Sequence, residues 1–236
     1  MSSEQYKGNK ILLVEDEESL AIGLEYNLSE EEFDVTLAKD GRQAITEFNS
    51  KQFDLIILDI MIPYLDGFEV AKKIRSMDPQ MPILILTART SAEDRIKGLE
   101  LGVDDYLTKP FHLEELILRI KGMLKRKMWY KSISNIDSKY KAKNIEIDFE
   151  RLYLVVGSKS NTLTVHEGML LKYFIENKNR IISRKELLEN VWQINSEIET
   201  RTVDTFIARL RKLLENDPAH PDHIKSVRGA GYIFSD

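Results

Sequence analysis

The sequence predicts a doubly wound α/β domain with a five-stranded parallel sheet, followed by a smaller α+β domain. The length of 236 residues exceeds the roughly 100–200 residues of one typical domain. The first half alternates short, continuously apolar runs with amphipathic stretches, as expected of parallel strands that are covered on both faces. The second half opens with short alternating runs typical of antiparallel strands and continues with helical patterns.

Five strands and five helices are predicted in the first half. The strands are placed at 10–14, 33–38, 54–58, 82–86 and around 106–107, and the helices at 17–29, 40–50, 66–76, 91–101 and 112–126. Asp66 and Ser91 stand where helix N-caps belong, and Gly102 follows the fourth helix as a C-cap. Repeated βα units predict an open, doubly wound sheet, for which right-handed crossovers leave few topologies. We expect strand order 2-1-3-4-5, in which strands 1 and 3 are neighbours.

The stretch 127–143 is polar and rich in Lys, Ser and Asn, and it predicts a linker between domains at 1–126 and 144–236. In the second domain, strands are expected at 145–148, 152–156 and 162–165, and helices at 167–177, 183–192 and 201–215. Gly229-Ala230-Gly231 lies between two apolar runs and predicts a hairpin near the end of the chain.

Charge and composition narrow the class of protein. Residues 1–126 carry 16 Lys and Arg against 24 Asp and Glu, a formal charge of −8, whereas residues 127–236 carry 18 against 15, or +3. This asymmetry suggests that the halves have different partners, with nucleic acid suited to the second. The absence of cysteine excludes disulfides, thiolate metal sites and a cysteine nucleophile. Because no apolar run reaches about 20 residues and the N-terminus lacks a signal-peptide pattern, we expect a soluble cytoplasmic protein with no membrane partner.

Polar residues that can handle a phosphoryl group follow the predicted parallel strands. They fall at the carboxyl edge of the sheet, where open α/β sheets bind ligands, and they are Glu15, Asp16, Asp59, Thr87 and Lys109. Three converging carboxylates raise one another's pKa unless a cation intervenes, and an all-oxygen site suits Mg²⁺. Carboxylates, a metal, a hydroxyl and an ammonium are the groups that phosphoryl transfer needs, with Asp59 as the nucleophile.

Four strings then resemble one family: ILLVEDE, DLIILDIMIPYLDGFEV, PILILTAR and GVDDYLTKPF. Together with 28 residues from Asp59 to Thr87 and 22 from Thr87 to Lys109, they resemble the receiver domain of two-component response regulators, which has a flavodoxin/CheY-like fold. The resemblance implies that Asp59 accepts a phosphoryl group from the phosphohistidine of a sensor histidine kinase. Thr87 would bond the phosphoryl oxygen, Lys109 would pair with it, and Tyr106 would turn inward as the switch residue.

The same resemblance implies one Mg²⁺ in the acidic pocket. Asp16 and Asp59 would ligate the ion, Glu15 would act through water, and Met61 would supply a backbone carbonyl. Glu15 stands where many relatives have Asp, a departure that preserves charge. The Lys109-Pro110 peptide bond resembles the cis bond of the family.

In the second domain, segment 201–215 combines an apolar stripe with a basic outer face. The stripe has helical spacing at 203, 206, 207, 210, 213 and 214. The other side presents residues suited to a DNA major groove, with the small Ala208 beside them, and they are Arg201, Thr202, Thr205, Arg209 and Lys212. The alternative is an ordinary solvated face.

Three strings of this domain, LTVHEGMLLKYFIENKNRIISRKELLENVW, ETRTVDTFIARLRKLLE and IKSVRGAGYIF, resemble the winged helix-turn-helix effector domain of the OmpR/PhoB subfamily. The resemblance implies that 201–215 is the recognition helix, that Ser226–Tyr232 includes the wing, and that Arg228 reaches the minor groove or its phosphates. Base contacts would rest chiefly on Arg209 with Thr205. Promoter DNA and RNA polymerase are the partners that this implies.

The family also implies a dimer surface on the fourth predicted helix, the fifth strand and the fifth predicted helix. The matching residues form intermolecular pairs in this subfamily, and here they are Arg95 with Glu115, Asp105 with Arg119, and Asp104 with Arg126. Such pairs mainly fix register, because each exposed pair contributes only about 0–1 kcal/mol. The alternative is that these pairs form within one chain. The resulting hypothesis is a regulator that dimerises on phosphorylation and binds tandem promoter sites.

Two rival functions remain open from the residues alone. A HAD-type aspartyl-phosphate phosphatase would want a second acid two residues after the nucleophile, where this chain has Met61. The other rival is a DNA-binding protein whose receiver no longer phosphorylates, and the intact Asp59, Thr87 and Lys109 argue against it. We therefore expect no turnover of an external substrate, but only Mg²⁺-dependent phosphorylation and dephosphorylation at Asp59.

Overall fold

The computed structural model describes residues 6–88, 103–133, 138–192 and 202–236. The chain divides into two compact units, Met1–Lys125 and Arg126–Asp236, and each is described by itself. Within the described ranges, no helix has the length and apolarity that a membrane crossing requires.

The first unit is built on a five-stranded parallel sheet with strand order β2-β1-β3-β4-β5, which confirms the predicted topology. Its strands are β1 (Lys10–Val14), β2 (Asp34–Ala38), β3 (Leu55–Leu58), β4 (Ile83–Thr87) and β5 (Asp105–Thr108). The central runs LIIL and ILILT are buried at every position, because helices cover both faces of a doubly wound sheet.

Four helices begin in this unit within the described ranges: α1 (Glu18–Glu30), α2 (Gly41–Ser50), α3 (Gly67–Met77) and α4 (Leu113–Ile133). Asp66 caps α3 as predicted, since its Oδ1 accepts a hydrogen bond of 2.7 Å from the N–H of Phe68. A Cβ at Gly67 would lie 2.3 Å from the carbonyl oxygen of Asp59. Glycine at this position therefore lets α3 begin directly against the end of β3.

Both ends of the predicted linker 127–143 have regular secondary structure. Helix α4 continues to Ile133, and Lys139–Ala142 forms a strand, β6. Lysine and arginine are good helix formers, so a polar composition does not end a helix when no Gly or Pro interrupts it. The predicted helix at 91–101, with Ser91 and Gly102 at its ends, lies outside the described residues.

The second unit begins with an antiparallel four-stranded sheet of β6, β7 (Ile145–Asp148), β8 (Tyr153–Val156) and β9 (Lys159–Thr162). Its helices are α5 (Val165–Glu176), α6 (Arg184–Leu187), which continues as a π-helical turn at Leu188–Trp192, and α7 (Thr202–Leu214). The chain then forms the predicted hairpin of β10 (Ile224–Val227) and β11 (Gly231–Phe234). These elements match a winged helix-turn-helix.

The predicted strand at 162–165 is wrong, because Thr164 ends the extended segment and caps α5. Its hydroxyl accepts from the N–H of Glu167, while the Glu167 carboxylate accepts from the N–H of Thr164 at 2.8 Å. This is a capping box, whose T-x-x-E signature was available in the sequence.

The predicted stripe of α7 does form the core of the second unit. Val203, Ile207 and Leu210 are each at most 1% exposed. The fully buried Phe206 ring packs edge-on against Trp192, with centroids 5.2 Å apart. Helix α7 therefore packs against α5 and, through Phe206 and Trp192, against the π-helical turn.

Candidate functional site

Three carboxylates meet beyond the carboxyl ends of β1 and β3. Glu15 and Asp16 follow β1 directly, and Asp59 follows β3. The three side chains can each offer an oxygen within 4.8 Å of the others. Glu15 and Asp59 are each 3% exposed, whereas Asp16 is open to solvent. The pocket is therefore a cluster of hard oxygen donors with one accessible side, which suits Mg²⁺.

Lys109 enters this pocket from the residue after β5. Its Nζ donates to Asp59 Oδ2 at 2.6 Å and to Glu15 Oε2 at 2.7 Å. Burial raises the pKa of Glu15 even though Lys109 acts against that shift. Burial alone would lower the pKa of Lys109, but its hydrogen bonds to Asp59 and Glu15 outweigh burial and raise it. Lys109 therefore remains charged and close to the atoms on which a phosphoryl group would sit.

Three further predicted residues lie on or beside the neighbouring strands, and one of them contacts Asp59. Thr87 is fully buried as the last residue of β4, beside β5 at the same sheet edge. The backbone N–H of Met61 donates to Asp59 Oδ1 at 2.9 Å, which orients the carboxylate. Tyr106 is half-buried on β5. The Lys109-Pro110 bond is cis, as the resemblance implied.

This arrangement can perform one kind of chemistry. Three carboxylates against one ammonium leave an excess of negative charge, so the pocket favours a divalent cation. A carboxylate nucleophile, a fixed ammonium and a metal together neutralise a transferring phosphoryl group on several sides. The residues present therefore fit Mg²⁺, although the role of the Met61 carbonyl as a ligand remains a prediction.

The residues predicted to form intermolecular pairs are engaged within the chain where the structure describes them. Asp104 is 2% exposed and pairs with Arg75 of α3 at 2.6 Å, whereas its predicted pairing with Arg126 of a second copy stays a prediction. Asp105 pairs with Arg119 at 2.6 Å, and Arg119 also pairs with Glu115 at 2.7 Å. Because α4 packs beside β5, these charges find partners without a second copy.

Arg95 and the side chain of Arg126 lie outside the described part of the structure. The predicted pairs of Arg95 with Glu115 and of Asp104 with Arg126 therefore stay predictions.

The outer face of α7 is smaller than the sequence predicted. Ala208 and Lys212 are exposed, and Thr205 is half-buried. Arg209 is only 8% exposed and pairs with Glu167 of α5 at 2.7 Å, so its predicted place on the exposed face is wrong. The side chain lies at the margin of the apolar stripe, where a long side chain can fold inward and meet a buried carboxylate. Arg201 and the side chain of Thr202 fall outside the described residues.

The β10–β11 hairpin presents the remaining predicted DNA contacts. Ser226 and Arg228 are both exposed on it. Arg211 of α7 donates to the carbonyl of Ile224 at 2.9 Å and to Ser226 Oγ at 2.9 Å. A Cβ at Gly231, which has φ +145°, would lie 2.0 Å from the carbonyl oxygen of Ile182. The hairpin is thus held against α7 on one side and against the start of α6 on the other.

A second polar cluster joins α6, α7 and β11. Arg184 Nε donates to Asp204 Oδ1 at 2.7 Å, and the Tyr232 hydroxyl donates to the same carboxylate oxygen at 2.5 Å. The Arg184 guanidinium also lies over the Tyr232 ring, 4.9 Å from its centroid. Burial, followed by the hydrogen bond to Asp204, raises the pKa of Tyr232 to about 12. Tyr232 therefore remains a hydrogen-bond donor at neutral pH.

Sequence reasoning missed several residues that organise this site. Glu167 was recoverable from the T-x-x-E capping signature. Arg184, Asp204 and Arg211 carry no local signal, because each acts through a partner distant in sequence.

Comparisons with known proteins agree with this geometry. Residues 11–121 match the model of the response regulator receiver domain, and residues 158–234 match that of the C-terminal domain of transcriptional regulatory proteins. The sensory transduction proteins RegX3 of Mycolicibacterium smegmatis and Mycobacterium tuberculosis are each 39% identical over 222 residues, which cover 94% of this chain and 97% of each relative.

Two solved structures extend over nearly the whole chain. A RitR variant covers 97% of it at 28% identity with a TM-score of 0.75, and all of that chain is matched. The structure of DrrB, an OmpR/PhoB homologue from Thermotoga maritima, is 30% identical with a TM-score of 0.52. The match covers 97% of this chain and 100% of the DrrB chain. A receiver pocket on the first unit, a winged helix on the second, and relatives that share both make this chain a two-component response regulator of the OmpR/PhoB family.

Proposed function

We propose that this response regulator is a phosphorylation-dependent transcription factor with Asp59 as its phosphoacceptor. The observation that carries the proposal is the contact of Lys109 Nζ with both Asp59 and Glu15, at 2.6 Å and 2.7 Å. This contact aims a charged ammonium at the carboxylate that would react. A sensor histidine kinase is the proposed donor, and the cytoplasm, which holds promoter DNA, is the proposed compartment.

In the transfer step, an Asp59 oxygen would attack the phosphorus of a phosphohistidine. The O–P bond forms as the P–N bond breaks, and the imidazole leaving group takes up a proton. Glu15, Asp16 and Asp59 would hold Mg²⁺, which supplies charge neutralisation to the phosphoryl oxygens. Lys109 would pair with a phosphoryl oxygen, and the Thr87 hydroxyl would donate to another. Hydrolysis of the acyl phosphate at Asp59 would reset the protein without turnover of any external substrate.

Phosphorylation would then reach the rest of the receiver through Thr87 and Tyr106. Thr87 is the last residue of β4, and Tyr106 lies on the adjacent strand β5. Both are near the carboxyl edge of the sheet, which Asp59 also follows. We propose that their inward movement favours a homodimer on the surface formed by segment 91–101, β5 and α4. The Asp105–Arg119–Glu115 cluster pairs within the chain, and Glu115 is its more exposed member, so the cluster would have to exchange partners to fix the register of that homodimer.

The dimer would place two effector units on tandem promoter half-sites. Helix α7 would enter the major groove, with Thr205 and Lys212 on its outer side, together with Arg201 and Thr202. Ser226 and Arg228 of the hairpin would lie along the adjacent backbone or minor groove. RNA polymerase is the proposed further partner at the promoter. Linking two weak half-site interactions raises the effective concentration of the second one.

Light scattering on the full chain tests the phosphorylation step. With Mg²⁺ and beryllofluoride, a mimic of the aspartyl phosphate, we expect a monomer-to-dimer shift. Asp59→Asn is the matched control, because it keeps the shape of the side chain and removes the nucleophilic carboxylate. A dimer that forms equally in the control, or no shift in the wild-type chain, would contradict phosphorylation-driven dimerisation.

A further inference from the structure

The buried contact between Arg209 and Glu167 joins the recognition helix to the helix behind it. Arg209 Nη2 lies 2.7 Å from Glu167 Oε1, and the two side chains are 9% and 5% exposed. Arg209 belongs to α7 and Glu167 to the first turn of α5. This contact joins two buried charges, unlike the apolar contacts around it.

Glu167 is itself fixed in place. Its Oε2 accepts from the N–H of Thr164 at 2.8 Å, and its own N–H donates to Thr164 Oγ1 at 3.4 Å. Its remaining carboxylate oxygen is therefore presented to Arg209 from a rigid helix end. The carboxylate cannot follow Arg209 outward without breaking the cap of α5.

Arg209 is also packed on its other side. Its guanidinium lies over the ring of Phe206, 4.8 Å from the centroid, and Phe206 packs in turn on Trp192. Within the described chain, Nη1 of Arg209 is buried without a hydrogen-bond partner. Swinging Arg209 out to a base would leave the Glu167 charge buried and unpaired, which is strongly unfavourable.

We infer that Arg209 is a positioning residue that fixes the rotation of α7 about its axis through Glu167, and that it does not read bases. This inference rests on the proposed DNA-binding function. The apolar stripe alone tolerates small rotations of α7, because apolar contacts are non-directional. The ion pair selects the rotation that turns Ala208 and Lys212 outward. Sequence preference would then come from the small outward residues and the hairpin.

The test is a double-mutant cycle on DNA binding by the full chain. The probe is a pool of DNA duplexes with a randomised core, bound in the presence of Mg²⁺ and beryllofluoride. The variants are Arg209→Met, Glu167→Gln and the double variant, in which Gln keeps the capping box and Met keeps the apolar bulk of Arg209. Lys212→Met is the matched control, a cation removed from the exposed side of the same helix.

We expect each single variant to weaken binding by about tenfold, the scale on which contacting residues couple. The double variant should recover to within about threefold of the wild-type affinity, select the same sequence and keep the same salt dependence. Lys212→Met should instead reduce the slope of log affinity against log salt by about 1, as the loss of one phosphate contact does.

Recovery in the double variant also distinguishes a positioning role from a failure to fold. A double variant that binds normally is folded, although it lacks both Arg209 and Glu167. A double variant as weak as Arg209→Met, with a lost base preference or a reduced salt slope, would show that Arg209 touches DNA and would overturn the inference. A wild-type chain that selects no sequence would overturn the proposed function itself.

Discussion

Two buried clusters of this protein each join a cation to carboxylates, but their charges balance differently. In the first unit, Lys109 contacts Glu15 and Asp59 while Asp16 adds a third negative charge at the solvent side. In the second unit, Arg209 pairs with Glu167 alone, and the backbone N–H of Thr164 donates to the other oxygen of that carboxylate. The first cluster has an excess of negative charge, and the second is neutral.

This difference in charge distinguishes a pocket that can bind further groups from an ion pair that only stabilises the fold. The excess negative charge of the receiver pocket is not balanced by Lys109 alone, so the pocket can accommodate a divalent cation and, with it, a phosphoryl group. Lys109 is suited to that pocket, because its ammonium has three rotatable donors and can exchange partners. The planar guanidinium of Arg209, fixed between Glu167 and the Phe206 ring, is suited to one arrangement.

The largest expected effect is on the balanced cluster. Arg209→Met should lower the free energy of unfolding of the second unit by about 3–5 kcal/mol, because it leaves the Glu167 charge buried without a partner. Adding Glu167→Gln should recover most of this loss, since a neutral pair is usually tolerated in place of a buried ion pair. Urea unfolding, followed by the fluorescence of the buried Trp192, is the measurement. A loss below about 1 kcal/mol for Arg209→Met would mean that the pair is solvated.

The receiver pocket should respond to metal instead. At free Mg²⁺ about 100 times its dissociation constant, linkage adds about 2.7 kcal/mol to the stability of the first unit. Thermal unfolding with and without a chelator measures this, and the second unit, which holds the balanced pair, should not shift. Glu15→Gln should reduce the response, because it removes one negative charge from the cluster. An equal Mg²⁺ response in both units would indicate non-specific binding.

Neutralising the exposed carboxylate of Asp16 should show that the receiver pocket carries excess negative charge. Two charges about 5 Å apart repel by about 3 kcal/mol at an effective dielectric of 20, and solvent around Asp16 should reduce this to about 1 kcal/mol. Asp16→Asn should therefore stabilise the metal-free protein by about that amount, at the expense of Mg²⁺ affinity. Melting temperatures in chelator against saturating Mg²⁺ report both effects. Destabilisation in chelator would show that Asp16 has a structural partner that outweighs the repulsion.

The receiver pocket was predictable because its geometry follows from topology. Carboxyl ends of parallel strands share one edge, so residues that follow β1, β3 and β5 must converge there. The contacts of Lys109 with Glu15 and Asp59 confirm that expectation. Local apolar runs were sufficient to place the strands, and the strand order then brought the polar residues together.

The side on which Arg209 lies was not predictable from the helix pattern. At about 100° per residue, it falls only about 40° from Leu213 of the apolar stripe, so its side chain could fold either way. The choice depends on Glu167, a buried partner from another helix. The pairing of Asp104 with Arg75 has the same origin. The start of α5 could have been predicted, because the T-x-x-E signature is present in the sequence. The alternating apolar residues at 162–165 favoured a strand there instead.

The smallest expected effect comes from a third cluster, which is exposed. It tests whether burial determines how much an ion pair contributes to the free energy of unfolding. Asp236 accepts from Lys178 at 2.7 Å and from the Tyr140 hydroxyl at 2.6 Å. These hydrogen bonds, that of Lys178 first, lower the pKa of Asp236 to about 2. A carboxyl with a depressed folded pKa stabilises the protein above its ordinary pKa, and the contribution is lost as the pH falls toward 2.

The contribution at neutral pH should stay below about 1 kcal/mol, because solvent screens exposed pairs. Asp236→Asn should therefore lower the urea midpoint of the second unit only slightly at about pH 6, and the gap from wild type should narrow as the pH falls through about 4 toward 2. High salt should narrow it as well, whereas the loss caused by Arg209→Met should persist in salt, since buried pairs are screened much less. A salt-resistant effect of Asp236→Asn comparable to that of Arg209→Met would mean that geometry, and not burial, determines how strongly these clusters hold the fold.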